Sequence, residues 1–179
     1  LDGYESQNRE VTVTAGSTVE ASFTLLEDPE PGSAIIADHT TINLANVPQD
    51  AIVQAKENLH IAYGHTSHGS QITTGMTGLV SFAGAPYGGN LYRWNNGGTN
   101  DALDLHDYFV DGDLGNPDRV TWASRTRTYL DANPDVNVVM WSWCGQVDGT
   151  EADINTYLDL MSDLEQDYPN VKFVYMTGH

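Results

Sequence analysis

Three continuous apolar runs limit the folds open to this chain of 179 residues. The runs are Leu59–Tyr63, Val136–Trp143 and Val171–Met176. Apolar runs without alternation are typical of strands buried on both faces of a parallel sheet. Between and before them the sequence predicts helices over Pro48–Asn58, Ser70–Phe82, Thr121–Asn133 and Glu151–Asp167. This alternation predicts a three-layer α/β domain, flavodoxin-like, with helices covering both faces of a mainly parallel sheet.

The remaining segments divide the chain further. Residues 84–100 are rich in Gly and Asn and are predicted to be loop. Asp101–Asp118 is acidic and is predicted to be irregular. Residues 1–26 alternate as a β-hairpin and resemble the closing hairpin of PEGA-like or carboxypeptidase-regulatory-like β-sandwich modules. The acidic, Pro-rich residues 27–33 read as a linker, so 34–179 is the predicted α/β domain. We expect this domain to be truncated at its C-terminus.

Composition excludes several classes of function. The 25 acidic and 7 basic residues give a net charge of −18, which would repel nucleic acid and is typical of proteins in saline or marine surroundings. We therefore expect an extracellular or cell-surface location. No apolar run approaches the ~18 residues that membrane insertion requires. The single cysteine, Cys144, excludes an intrachain disulfide and a multi-cysteine metal site. The sequence predicts no cofactor and indicates no oligomeric state.

Polar residues follow each apolar run at the point where its strand should end. The segments are Gly64–Gly69, Ser142–Asp148 and Thr177–His179. Ligands of open α/β sheets bind beyond the carboxyl ends of the strands, so we expect these segments to meet at one edge. Ser67 stands at the turn from the first strand into a helix. Such a turn exposes a serine oxygen, and the free N–H groups of the helix can stabilise negative charge, which favours Ser67 as a nucleophile.

The order of these segments resembles the SGNH (GDSL-like) hydrolases, in particular divergent members whose first block reads like His-His-Ser-Val-Gly. The segment His65-Thr66-Ser67-His68-Gly69 matches that block, and Cys144-Gly145-Gln146 stands where the family has Gly-x-Asn-Asp. The resemblance implies that Ser67 is the nucleophile. It implies oxyanion or substrate binding by Gly69, Gly145 and Gln146, and a second-block glycine at Gly115 or Gly89. A histidine would take the proton: the candidates are His68, His179 and a histidine beyond residue 179.

Several of these residues have a second interpretation. Ser67 could cap the following helix, and Ser70 is a rival nucleophile. His65 and His68 have a spacing that could hold a metal, although no third ligand is evident and no metal is predicted. They could instead line the cleft. Cys144 is predicted to be a small buried residue, because no basic neighbour is evident to activate it.

Two further segments invite binding roles. The alternating acidic residues of Asp111–Asp118 could hold calcium, or their side chains could fold back onto backbone N–H groups. Trp143, with Tyr92 and Trp94, could form a surface on which a sugar stacks.

These features predict a secreted serine esterase of the SGNH type that acts on an acylated carbohydrate or small ester. The alternative is a non-catalytic SGNH-like module that binds carbohydrate or another ligand within a surface protein. The two differ in whether Ser67 turns over an ester.

Overall fold

The computed structural model of the chain describes residues 35–82 and 89–176. The chain divides into two compact units, Leu1–Asn46 and Val47–His179. The predicted hairpin over 1–26 and the linker over 27–33 lie outside the described residues. In the first unit, residues 35–46 are largely exposed and contain a turn in which the Asp38 carboxylate accepts a hydrogen bond from the Thr40 N–H over 2.7 Å.

The second unit is an α/β domain, as the sequence predicts. Its described helices are α1 (Gln49–Asn58), α2 (Ser70–Phe82), α3 (Thr121–Ala132) and α4 (Glu151–Asp167). Its described strands are β1 (His60–His65), β2 (Trp94–Asn95), β3 (Leu103–Asp107), β4 (Val138–Ser142) and β5 (Lys172–Tyr175). The strands form one sheet in the order β2-β3-β1-β4-β5, and every pairing is parallel.

Both faces of the sheet are covered, which gives the three layers predicted. On one face Ile61, Tyr63 and Leu105 pack against Ile72 and Met76 of α2. On the other face the strands pack against α3 and α4, in a larger cluster that contains Ala62, Val139, Trp141, Trp122, Leu130, Met161 and Leu164. Successive residues of a strand point to opposite faces, so the continuous apolar runs supply both layers at once.

The aromatic side chains of the larger cluster determine where the backbone must carry glycine. The Trp141 and Trp143 rings stack with centroids 4.9 Å apart and planes inclined by 10°. The Trp141 ring lies over Gly64 of β1, where a Cβ atom would stand 2.7 Å from it. Gly64 is therefore required because the indole occupies the space of a side chain.

The prediction that Asp101–Asp118 is irregular is wrong for its first part, because Leu103–Asp107 forms β3. This strand carries the buried polar side chain of Asp104, which obscures the apolar pattern. Asp104 is tolerated there because it accepts hydrogen bonds from the Gly97 N–H at 2.7 Å and contacts His60 Nδ1 at 2.8 Å. The predicted loop over 84–100 likewise contains the short strand β2. No helix in the described part of the chain is long and apolar enough to cross a membrane.

Candidate functional site

The turn from β1 into α2 presents Ser67 to solvent. After β1 the backbone makes a 3-10 turn over Ser67–Gly69, and α2 begins at Ser70. Ser67 is exposed and has φ = 41°, a left-handed conformation that costs a serine free energy. The N-terminal turn of α2 adds a partial positive charge beside it. The exposure of Ser67 at the start of a helix agrees with the sequence-based expectation, whereas its left-handed backbone was not predicted.

Two buried contacts hold this turn in place. The Tyr63 hydroxyl donates a hydrogen bond to the Gly69 carbonyl over 2.8 Å, and burial raises the pKa of Tyr63 above its usual range, so the donor stays uncharged. Gly69 is packed so tightly that a Cβ atom would stand 2.3 Å from His65 Cβ. The Gly69 N–H, which the family resemblance assigns to oxyanion binding, donates to the Thr66 carbonyl over 2.9 Å.

The turn lies where the chain changes direction across the sheet. The central strand β1 pairs with β3 on one side and with β4 on the other. Crevices at such a switch point are the usual ligand sites of open parallel sheets. The segments after β1 and β4 therefore meet there, as expected. Thr177–His179, the third predicted segment, lies outside the described residues, and His179 with it.

Gln146 joins the two segments from below the surface. It lies in a 3-10 turn, Gly145–Val147, that follows β4, and its side chain is buried. Its Oε1 accepts hydrogen bonds from the Thr66 hydroxyl and the Cys144 N–H, both over 2.9 Å. Its Nε2 donates to Asp113 Oδ1 over 2.8 Å. The side chain thus crosslinks the site, while the neighbouring Gly145 is exposed and faces open space.

His68 contacts both Ser67 and Cys144. Its Nδ1 lies 3.5 Å from Ser67 Oγ and 2.9 Å from Cys144 Sγ. The prediction that Cys144 has no basic neighbour is therefore wrong. The sequence hid this contact because 76 positions separate the two residues and only the β1–β4 pairing brings them together. Ser67, His68 and Cys144 form one surface cluster at the switch point.

His65 contacts a different set of residues. Its ring is buried, and Nε2 lies 3.0 Å from Asp107 Oδ1 at the end of β3. Within residues 35–82 and 89–176, His65 Nδ1 is the buried side-chain polar atom that lacks a hydrogen-bond partner. His65 and His68 thus have different side-chain partners, Asp107 and Cys144.

A cavity of about 230 Å³ adjoins Ser67. It is lined by His65, Thr66, Ser67, Tyr108, Gly112 and Asp113. A larger cavity of about 360 Å³ is lined by aromatic and apolar side chains, Trp143 and Tyr157 among them, and includes neither Ser67 nor His68. The smaller cavity is the candidate substrate site because it contains the exposed hydroxyl. Sequence reasoning missed Asp107 and Tyr108, and recognising Leu103–Asp107 as a strand would have indicated them. It considered Asp113 only as a calcium ligand.

Trp143 belongs to the core behind the site. It is 7% exposed, and it stacks on Trp141 and, with centroids 5.3 Å apart, on Tyr157. Gly115, with φ = 95°, lies against the same ring, where a Cβ atom would stand 2.6 Å from it. Neither residue is among those that line the Ser67 cavity. A sugar-stacking role for Trp143 therefore has little exposed ring surface to use.

Arg119 and Tyr157 support the Gln146 turn from behind. Arg119 Nη1 and the Tyr157 hydroxyl donate hydrogen bonds to the Gln146 carbonyl over 3.1 and 2.8 Å. Arg119 Nε also pairs with Asp153 Oδ1 at 2.9 Å, which connects the turn to α4. These contacts fix the backbone that carries Cys144 and Gln146.

The acidic loop Asp111–Asp118 binds protein donors. The Asp118 carboxylate accepts hydrogen bonds from the N–H groups of Val120 and Thr121 over 2.9 and 3.0 Å, at the start of α3. Hydrogen bonds from the Thr121 hydroxyl and then from these N–H groups hold the pKa of Asp118 below its usual range. The second interpretation of this loop, carboxylates folded onto backbone N–H groups, is thus realised at Asp118. In the described chain, the group of residues spaced to hold a metal lies elsewhere, at His60, Asp104 and Asp135.

Comparison of the chain with protein-family models, curated proteins and solved structures gave no significant match.

Proposed function

We propose that this α/β domain is a serine hydrolase of the SGNH type, secreted or displayed at the cell surface, that cleaves an acylated carbohydrate or a small ester. The observation that carries the proposal is the exposed Ser67, held at φ = 41° with its Oγ 3.5 Å from His68 Nδ1. A serine placed next to a base and at the N-terminus of a helix is the usual arrangement of an activated nucleophile.

In the proposed reaction Ser67 Oγ attacks the ester carbonyl, and its proton passes to a histidine. Among the described residues His68 supports this step, since its Nδ1 lies 3.5 Å from Ser67 Oγ. The histidine then gives the proton to the departing alcohol, and water hydrolyses the acyl-enzyme by the reverse sequence. His179 remains a second candidate for the base.

The environment of the serine supports the same chemistry. The N-terminal turn of α2 directs partial positive charge towards developing negative charge. The Thr66–Gln146 bond and the Arg119 and Tyr157 contacts fix the two loops that carry Ser67 and Cys144, which favours a fixed position for the attacking oxygen. The cavity of about 230 Å³ beside Ser67 has room for a small acyl or alcohol group.

One observation favours the alternative, a non-catalytic module that binds carbohydrate or another ligand. Two of the three residues that the resemblance assigns to oxyanion or substrate binding are engaged within the protein: the Gly69 N–H with Thr66 and the Gln146 amide with Asp113. A cleft that binds without turnover needs no unoccupied oxyanion donors. Catalysis requires other donors, such as the Ser67 N–H, or a local rearrangement on substrate binding.

The test is hydrolysis of a short-chain aryl ester by the full-length protein, with labelling by a fluorophosphonate and mapping of the modified residue by mass spectrometry. The Ser67→Ala variant is expected to lose at least about 10³-fold in kcat and all labelling. The Ser70→Ala variant is the matched control, one helical turn away, and should keep both. An unchanged rate in Ser67→Ala contradicts the proposal.

The Cys144→Ala variant separates a serine from a thiol nucleophile. Because Cys144 Sγ lies 2.9 Å from His68, the thiol is also placed beside a base. Activity lost in Cys144→Ala but retained in Ser67→Ala would move the nucleophile to the thiol. A wild-type protein that binds ligand but neither hydrolyses the ester nor reacts with the fluorophosphonate would favour the binding module.

A further inference from the structure

A second polar cluster lies at the opposite edge of the sheet from Ser67. His60 is the first residue of β1, Asp104 is its partner in register on β3, and Asp135 lies in the turn between α3 and β4. One ligand atom from each of the three side chains lies within 4.8 Å of the other two. The cluster therefore combines one imidazole nitrogen and two carboxylates from three separate segments.

We propose that His60, Asp104 and Asp135 bind a divalent transition-metal cation of the zinc type. One histidine nitrogen and two carboxylate oxygens form a ligand set that zinc accepts, with water in the fourth position. Tetrahedral zinc, with bonds of about 2.0–2.2 Å, places its ligands about 3.3 Å apart, so side-chain rotations close the present spacing. His60 and Asp135 are accessible to solvent, which leaves a path for the ion and its water.

The buried carboxylate is already oriented for this role. Asp104 Oδ1 accepts a hydrogen bond from the Gly97 N–H over 2.7 Å and lies 3.3 Å from His106 Nε2. Its other oxygen, Oδ2, points to His60 Nδ1 at 2.8 Å. Outer contacts that fix one carboxylate oxygen and leave the second to bind are typical of protein metal ligands. The His106 ring is in turn held by the Tyr129 hydroxyl.

Charge argues for a cation rather than a plain histidine–aspartate pair. His60 needs only the Asp104 carboxylate as a hydrogen-bond partner, yet Asp135 places a second carboxylate within 4.8 Å of both ligand atoms. Two carboxylates and one imidazole leave the cluster negative, in a chain that already carries a net charge of −18. A divalent ion offsets that repulsion and joins the starts of β1 and β4 to β3.

The experiment is isothermal titration calorimetry of the full-length protein with ZnCl₂, with MgCl₂ and CaCl₂ as comparators. The Asp135→Asn variant removes a candidate ligand that is exposed and for which the described residues show no hydrogen bond, so the fold should persist. The matched control is Asp163→Asn, which removes the same charge from the exposed face of α4. We expect zinc binding in the wild type and in Asp163→Asn. In Asp135→Asn and His60→Gln we expect affinity at that site to fall at least about tenfold.

Thermal unfolding gives a second readout, because a ligand that binds the folded state raises the melting temperature. Zinc should raise it in the wild type and in Asp163→Asn, and should have a smaller effect in Asp135→Asn. Equal zinc binding by Asp135→Asn and Asp163→Asn overturns the proposal, as does the lack of binding by the wild type at millimolar zinc. Loss of the bound equivalent in Cys144→Ser instead would place the ion at the Cys144–His68 pair and would also overturn it.

Discussion

The Thr66 hydroxyl donates a hydrogen bond to Gln146 Oε1 over 2.9 Å, although the two residues are 80 positions apart. Both side chains are buried, and they follow the neighbouring strands β1 and β4. A neutral hydroxyl here meets a neutral amide. The bond therefore connects the two loops of the site without placing a charge beneath the serine.

We expect this bond to contribute measurable coupling between the two loops. In a double-mutant cycle of Thr66→Val and Gln146→Leu, the coupling free energy should be about 1 kcal/mol, the usual value for a buried neutral hydrogen bond. Urea unfolding of the four proteins measures it. The control cycle combines Thr128→Val with Gln146→Leu. The Thr128 hydroxyl donates to the Ser124 carbonyl within α3, so this cycle should give no coupling. Zero coupling in the first cycle would contradict a stabilising role for the bond.

The left-handed backbone at Ser67 should lower the free energy of unfolding while it holds the side chain in its exposed position. Ser67→Gly relieves the strain at φ = 41°, whereas Ser67→Ala retains it, and both variants lack the hydroxyl. The glycine variant should be more stable than the alanine variant by about 1 kcal/mol, measured by urea unfolding. At an ordinary helical position glycine is the less stable of the two, so the reverse order would show that the turn is not strained.

The same turn should reject any side chain at Gly69. A Cβ atom there would stand 2.3 Å from His65 Cβ, so Gly69→Ala forces the turn to move and should cost about 1–3 kcal/mol. Gly78, in α2, is the matched control because a Cβ atom there meets nothing within 4 Å. Gly78→Ala should stabilise the protein by about 0.5–1 kcal/mol through helix propensity. Equal effects at the two positions would show that contact with His65 does not constrain the turn.

The sequence was sufficient to predict the layered fold because its long apolar strands and periodic helices carry strong signals. The predicted bounds of α2 and α4, Ser70–Phe82 and Glu151–Asp167, agree with the observed ones. The strand β3 was missed because Asp104 and His106 interrupt its apolar pattern. The burial of Asp104 depends on partners outside the strand: His60, 44 positions away, and Gly97, 7 positions away. A local pattern cannot show that a polar residue will be satisfied by distant groups.

Only part of the site could be predicted, because local sequence patterns do not show contacts between distant residues. The order of strands and polar segments indicated that Ser67 and Gln146 would meet, since both follow parallel strands. The pairing of His68 with Cys144 and of His65 with Asp107 depends on which strands are neighbours and on how the side chains rotate. Neither contact can be predicted from the residues adjacent in sequence. Asp113 was considered as a calcium ligand, and the structure shows it as the acceptor for Gln146.

The start of α4 should make stability depend on pH at the acidic end. Thr150 and Asp153 form a capping box, in which the Asp153 carboxylate accepts from the Thr150 N–H over 2.9 Å. The Thr150 N–H first, then the Thr150 hydroxyl and the Arg119 guanidinium, lower the pKa of Asp153 below its usual 3.8. Since the folded-state pKa is depressed, the stabilisation is fully present above the unfolded-state pKa and is lost as the pH falls through the lower, folded-state value.

Asp153→Asn should therefore lower the urea midpoint at pH 7. The deficit should begin to shrink below about pH 4, near the unfolded-state pKa, and should be lost below the lower folded-state pKa, where the wild-type carboxyl is neutral in the folded protein as well. Asparagine is a suitable replacement because it resembles the protonated acid in size and charge. Urea unfolding from pH 7 to about pH 2.5 measures the difference, with Asp163→Asn, on the same helix but away from the cap, as the control for general charge effects. A deficit that stays constant over this range would show that the Asp153 charge does not stabilise α4.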